Sequence, residues 1–292
     1  KAEEPQAKKD GRKKQCRQEK RTNHRSQQIE MKSFHRKRHL TQPAENKKHR
    51  NISDDVLESL HAITAWLVRD PHRIRHLEAF APINQRVNKI LQLAREKGVR
   101  CDIHSYDPGP HPRLQAHCTE FPYASIDELR LTDSGPNLTV LIDGLTDPRN
   151  LGAIIRTANA VSARGVVIPA HRCCPVTPTV EGASAGATAY TPIVRVVNLA
   201  RTVRLLKEYD VWVFALDPKG EQQLFDVELP SRLALVTGGE AGMSRLAREE
   251  ADMRVRIPMG GAVQALNASV AASIALYRWY ETFRNALTPR AT

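Results

Sequence analysis

The chain has 292 residues, 41% of them hydrophobic, a formal net charge of +12 and five cysteines. That length carries two domains with cores of their own. The sequence lacks the roughly 18 consecutive apolar residues of a membrane-spanning helix, and no apolar stretch follows its N-terminal charges as in a secretory leader.

The charge is unevenly placed. Residues 1–50 hold 17 Lys and Arg against 6 Asp and Glu, and the rest is nearly neutral at 27 against 26. A run such as Lys8, Lys9, Arg12, Lys13, Lys14 and Arg17, with almost no apolar residues between, cannot offset the entropy of folding alone. Residues 1–52 are expected to form a disordered basic arm that meets polyanions. A solubilising extension has the same composition. A transit peptide fits less well, because six acidic residues interrupt the arm and it lacks amphipathic periodicity. Cys16, Cys101, Cys118, Cys173 and Cys174 are odd in number and lack paired C-x-x-C spacing. They read as reduced thiols of a cytoplasmic protein.

After the arm, Leu57, Leu60, Ile63 and Leu67 recur at helical spacing, with Ser53 or Asp54 available as cap. A second helix is predicted over 84–97, followed by a short strand over 99–104. Residues 105–136 are rich in Pro, Asp, Gly and His and read as loops and a linker. The chain thus divides into a small α/β domain over 53–125, a linker over 126–136 and a larger domain over 137–292. In that larger domain, runs rich in Val, Ile and Leu at 138–142, 165–168, 211–216 and 233–236 read as buried parallel strands. Helices are predicted at about 151–162, 199–208, 244–251 and 267–284. This alternation implies a doubly wound α/β sheet. No G-x-G-x-x-G follows the first strand and no Walker lysine is present, which disfavours a dehydrogenase or a P-loop NTPase.

Three glycine- and polar-rich segments lie at the ends of these strands, where an α/β sheet binds ligands. In the first, 143–160, Asp147 and Pro148 can start a helix whose apolar stripe is Leu151, Ile155 and Ala158. Arg156 points elsewhere, and the small residues Gly152 and Ala160 one turn away on either side leave room for something to approach it. A solvated surface arginine explains it as well as a functional one. The second segment, 235–246, carries Gly238, Gly239, Glu240 and Gly242, either a tight strand-to-helix turn or a place where backbone approaches a ligand. In the third, 257–276, Asn267 can cap a helix whose first turns are nearly all small residues. Capping and close packing alone would account for it. Among weaker candidates, His111 and His117 near Cys118 are too loosely spaced for a metal site. Asp143 and Glu240 could pair as in a hydrolase, with nothing else in support. Cys173 and Cys174 read as a buried pair at a strand end.

Taken in order, the three segments resemble the motifs of the SPOUT methyltransferases, in the SpoU (TrmH-like) branch that methylates ribose 2′-hydroxyls of ribosomal or transfer RNA. The resemblance spans about 56–285. It implies a C-terminal trefoil knot in the larger domain, and a ribosomal-protein-like fold that binds RNA substrate in the smaller one. It implies S-adenosylmethionine as cofactor, held by Leu216, Gly238, Ile257, Met259 and Leu266. Arg156, Asn150, Glu240 and Asn267 fall at the catalytic positions. A homodimer through the last helix follows from the same likeness, with Leu276, Trp279, Tyr280 and Phe283 as its apolar surface. No metal is required, because a sulfonium methyl is already activated. Ribosomal RNA, most simply a guanosine of 23S rRNA, is favoured over tRNA by the extra N-terminal domain. The chain departs from the pattern in four places. Ser59 stands where relatives often have glycine, and Leu114–Cys118 where they have a His-Gln-Gly-like turn. Only Ala241 separates Glu240 from the next glycine, and Ala265 replaces a serine. The last two departures also suit a non-catalytic RNA-binding or ribosome-assembly factor on the same fold.

Overall fold

The computed structural model describes residues 55–105, 113–129, 135–239 and 242–287. The arm over 1–52, His111 and Glu240 lie outside them. The chain from Ser53 to Thr292 forms one compact unit built on two sheets.

The smaller sheet has four strands in the order β1 (Asp55–Leu57), β4 (Leu114–Cys118), β2 (Ile74–Phe80), β3 (Arg100–His104). Only β2 and β3 run parallel. Helices α1 (Leu60–Arg69) and α2 (Gln85–Glu96) bury Ile63, Trp66, Leu67, Val87, Ile90 and Leu91 in the core shared with Leu77, Ala79, Leu114 and Ala116. The first helix starts later than its periodicity suggests. Leu57 pairs with Ala116 across β1 and β4, and Ser59 caps α1 by accepting from the Ala62 amide. Besides β1, two further strands were not anticipated. In β2 the register shifts between Ile74 and His76, so Ile74 and Leu77 are both buried three residues apart and simple alternation is lost. In β4, inside the stretch expected to be loops, Leu114, Ala116 and Cys118 alternate with Gln115 and His117. This segment is an inner strand of the sheet, not a turn.

The same alternation puts Cys118 in the core and His117 on the opposite, open face. There His117 is cross-strand from His76, their rings stacked at 4.2 Å and 5°. The Glu78 carboxylate reaches both imidazoles, at 3.7 Å from His76 and 3.5 Å from His117.

The larger sheet is wholly parallel. Its order is β7 (Ile193–Val196), β6 (Gly165–Pro169), β5 (Asn137–Asp143), β10 (Arg232–Gly238), β8 (Trp212–Leu216), β11 (Met253–Arg256), β9 (Gln222–Gln223). Both faces are covered. Val140, Ile142, Phe214, Leu233 and Leu235 face α3 (Pro148–Ala160) and α7 (Ala268–Phe283), in a core continuous with that of the small sheet. Leu141, Val213, Ala215, Ala234 and Val236 face α5 (Leu199–Glu208) and α6 (Arg245–Glu250) in a second core. The four predicted strands and four predicted helices are present within a few residues. Strand β7 and the short helix α4 (Pro178–Ala183) were not anticipated. No helix among the described residues is long and apolar enough to cross a membrane.

The two sheets meet at one buried ion pair. Arg73, just before β2, donates from Nη1 and Nη2 to both oxygens of Glu181 on α4, at 2.6 and 2.7 Å. The Trp66 indole donates to the same carboxylate at 2.6 Å, and the Arg73 guanidinium lies 4.2 Å from the Trp66 ring centre. Glu181→Leu leaves Arg73 buried and unpaired, and is expected to lower unfolding free energy by about 3–5 kcal/mol. The Arg73→Met/Glu181→Leu double variant should recover part of that loss in urea unfolding. A double variant as unstable as the two single losses added together would mean that the pair is not coupled.

Candidate functional site

The ends of β5, β10, β8 and β11 converge at the carboxyl edge of the large sheet, beside the point where chain order reverses from β6 to β10 on either side of β5. Ligands bind at such switch points in α/β sheets. The loops there are tied to one another by hydrogen bonds. Asp143, buried at the end of β5, accepts from the Ser244 amide through Oδ2 at 2.6 Å, and its carbonyl accepts from the Gly239 amide at 2.8 Å. Asp143 thus anchors the turn after β10.

Glycine is needed in that turn for close approach. A Cβ on Gly239 would lie 2.1 Å from the Gly144 carbonyl oxygen and 2.4 Å from Leu145 Cα, all backbone that cannot swing aside. Gly242 has φ +70° and donates to the Gly239 carbonyl.

The first and third segments are joined in the same way. Asp147 caps α3 with Pro148 in its first turn, and Asn267 caps α7 by accepting from the Ser269 amide at 2.9 Å. The Asn267 side-chain amide then donates to Asn150 Oδ1 at 3.1 Å. Further along the helices, the Thr157 and Ser273 hydroxyls meet at 2.9 Å.

These loops enclose a cavity of about 580 Å³, within the range of small-molecule sites. Leu216, Gly238, Ile257, Met259 and Leu266, the residues expected to hold a cofactor, all line it. So do Asn150 and Asn267, and Ala265 lies between Gln264 and Leu266 on the same wall. Of the other two residues expected at catalytic positions, Glu240 is not described. Arg156 is exposed on α3, about 9 Å along the helix axis from Asn150. It is not among the residues of the cavity wall, and makes no hydrogen bond or ion pair among the described residues.

The small residue before Arg156 has a different purpose from making space beside it. A Cβ on Gly152 would come within 2.5 Å of Ala183 Cβ and 2.7 Å of the Val180 carbonyl, so this glycine lets α3 and α4 touch. Cys173 and Cys174 are half-buried, not fully buried, and the Cys174 amide donates to the Leu145 carbonyl. The Cys173 thiol is pushed far above its ordinary range, first by its hydrogen bond with Cys174 and then by burial. It remains a protonated thiol and a poor nucleophile.

Sequence patterns did not single out Asp217 and Arg248, both in the cavity wall. The available signal for Asp217 was a carboxylate directly after a buried strand.

Against known proteins, the profile of the SpoU rRNA Methylase family matches residues 137–277. A Pseudomonas syringae protein named 23S rRNA (guanosine-2′-O-)-methyltransferase is 35% identical over 234 residues, covering 76% of this chain and 94% of its own. A Staphylococcus haemolyticus protein, named for the TrmH family of tRNA/rRNA methyltransferases, is 36% identical over 240 residues, with 78% and 96% covered. Among solved structures, the SpoU methyltransferase AviRb of Streptomyces viridochromogenes, in complex with AdoMet, superposes with a TM-score of 0.70. That match covers 83% of this chain and 95% of the other at 23% identity, a likeness of fold.

Gly239→Ala is expected to destabilise the protein by about 1–3 kcal/mol, because the Gly144–Leu145 backbone must move. Gly260→Ala is the control. It lies in the turn of the third segment with nothing within 4 Å of the added methyl, and should stay within about 0.5 kcal/mol of the parent. Denaturant unfolding of both variants checks this, and equal stabilities would contradict the close approach.

Proposed function

The chain belongs to the SpoU rRNA methylase family, and from that membership we propose that it methylates a ribose 2′-hydroxyl of RNA with S-adenosylmethionine. The observation that carries this reading is the single cavity in which all three glycine- and polar-rich segments meet. Ribosomal RNA is the favoured substrate, a guanosine of 23S rRNA in the first instance. The Pseudomonas syringae relative, matched along nearly its whole length, supports that choice.

The cavity fits the cofactor. Leu216, Ile257, Met259 and Leu266 offer apolar wall for its adenosyl and methionine portions, and Thr237, Gln264 and the Gly238–Gly239 backbone line the same cavity beside them. When bound, the cofactor supplies a methyl group on a sulfonium, activated without a metal. The remaining work belongs to the chain: align the hydroxyl with that methyl, exclude water and manage one proton. Alignment alone is worth several powers of ten in rate.

Asn150 and Asn267, hydrogen-bonded to each other where α3 and α7 begin, hold the floor of the reaction site. Glu240, outside the described residues, is assigned to the same site by family likeness alone. Arg156, outward-facing and without a protein partner among the described residues, is free to take an RNA phosphate and to stabilise a developing alkoxide. A guanidinium has donors and no acceptor, which suits that role better than general-base catalysis.

The knot belongs to the same reading. Strand β11 lies beyond β8, yet the chain returns in α7 to pack on α3, a path consistent with threading. The small sheet serves as the RNA-binding half and the basic arm as an electrostatic tether, both in the cytoplasm.

Dimerisation through α7 is also proposed, on a surface different from the one its sequence suggests. Leu276 and Trp279 are buried in the chain's own core, and the Trp279 indole donates to the Pro230 carbonyl. Val270 and Tyr277 are the large apolar residues that α7 exposes, together with Val263 in the loop before it. Light scattering at micromolar concentration should give twice the chain mass. A fully active monomer would exclude the dimer.

Arg156→Ala is expected to lower turnover by about 10²–10³-fold while S-adenosylmethionine affinity stays within a few-fold. Single-turnover kinetics and radiolabelled-cofactor binding measure the two quantities. Cofactor binding lost in a folded variant would move Arg156 to the cofactor, and no cofactor binding by the parent chain would favour the non-catalytic RNA-binding factor.

A further inference from the structure

Two charged residues in the cavity wall belong to none of the roles assigned above. Asp217 directly follows β8 and is 4% exposed. Its backbone amide donates to the Val255 carbonyl at 2.9 Å, and Oδ1 accepts from the Lys219 amide at 2.9 Å, so the carboxylate is fixed in a tight turn. Arg248 comes from α6, on the far side of the second segment. Its Nε lies 2.8 Å from Asp217 Oδ2. The contact is one of charge and not of aligned hydrogen bonding, because the Nε–H is shielded from solvent yet finds no acceptor along its own direction among the described residues. The guanidinium also lies alongside Gly242, whose missing side chain would begin 3.7 Å from Nη2.

A carboxylate this buried requires a compensating charge, and Arg248 is the cation in the cavity wall. Without it the turn after β8 would open to hydrate Asp217, and the wall carrying Leu216 would move with it. The pair therefore bridges two sides of the cavity, the turn after β8 and helix α6.

We propose that Asp217 and Arg248 form a charge latch that holds the cofactor cavity closed, acting as positioning residues for S-adenosylmethionine and not as participants in methyl transfer. The inference rests on the assignment of this cavity to that cofactor. Because attraction and not hydrogen-bond geometry joins the pair, a lysine can replace the arginine.

Cofactor affinity of the full-length chain, measured by calorimetry with S-adenosylmethionine, tests the latch in Asp217→Asn, Arg248→Ala, their double variant and Arg248→Lys. Each of the first two should weaken binding about tenfold or more, as expected for losing a charge-assisted contact. The double variant should be no weaker than the worse single one, since both remove the same interaction. Arg248→Lys should stay within about threefold of the parent, and turnover at saturating cofactor should fall much less than affinity in all four. Multiplied losses in the double variant, a lysine variant as weak as alanine, or unchanged affinities would overturn the latch. Thermal unfolding shows which variants fold, and if Asp217→Asn does not, the alanine and lysine variants decide. A parent chain that binds no S-adenosylmethionine would overturn the cofactor assignment and the latch with it. Binding by the parent alongside unchanged variants would overturn the latch alone.

Discussion

The Arg73–Glu181 pair is the constraint on which the placement of the two sheets depends. Both side chains are essentially excluded from water, and the carboxylate accepts from Arg73 twice and from Trp66 once. Such a pair adds little net stability, because desolvating two charges cancels most of their attraction. Its effect is on the alternatives. Any other docking of the small sheet on α4 strands a charge in a core, at a cost of several kcal/mol. The backbone reinforces this choice. Gly186, at φ +88°, brings its chain so close to α1 that a Cβ would lie 2.8 Å from both Ala65 Cβ and the His61 carbonyl. Charge and close packing thus specify one arrangement, and the open face of the small sheet keeps a fixed relation to the cavity.

The cavity itself follows from the same economy. Its walls are loops, which are ordinarily the most mobile parts of an α/β fold. Here the loops are held by named bonds: Asp143 to Gly239 and Ser244 and Asn267 to Asn150 between loops, and Asp217 to Lys219 within its own turn and to Val255 in β11. Preorganisation of this kind suits a reaction in which the enzyme contributes alignment above all, since a cavity that reorganised on binding would lose part of that advantage.

What could be read in the sequence depended on how each element is buried. The parallel strands of the large sheet are covered on both faces, so they appear as unbroken apolar runs, and the three polar segments stand out at their ends. The small sheet is covered on one face, and its signal is alternation. A bulge after Ile74 erased that signal in β2, and proline- and histidine-rich flanks concealed it in β4. Leu57 had helical spacing to Leu60 only because a strand residue happens to precede the Ser59 cap. The cavity-lining Leu216, Gly238, Ile257, Met259 and Leu266 were legible through family likeness. Asp217 and Arg248 were not, because their pairing is a meeting of residues 31 positions apart that no local pattern encodes. Gly152 shows the reverse error. Its smallness beside Arg156 suggested room for a ligand, whereas the room is filled by α4.

The distribution of charge separates the two reactants. The cavity wall is largely apolar, its buried carboxylate Asp217 is matched by Arg248, and its second carboxylate, Asp147, caps α3. Arg156, by contrast, is on the exposed face of α3 with its full charge available. An exposed arginine contributes little to binding a small molecule in water, but it is well suited to a phosphate that is itself partly dehydrated by a large interface. The helix that carries it passes Asn150 in the cavity wall and reaches Arg156 outside, so a rigid rod of less than two turns connects the cavity to the position that would grip the RNA. Glycine at 152 and the hydroxyl contact from Thr157 to Ser273 lock that rod against α4 and α7. The distance between the Asn150 and Arg156 positions is thereby fixed by helix geometry and not by side-chain flexibility.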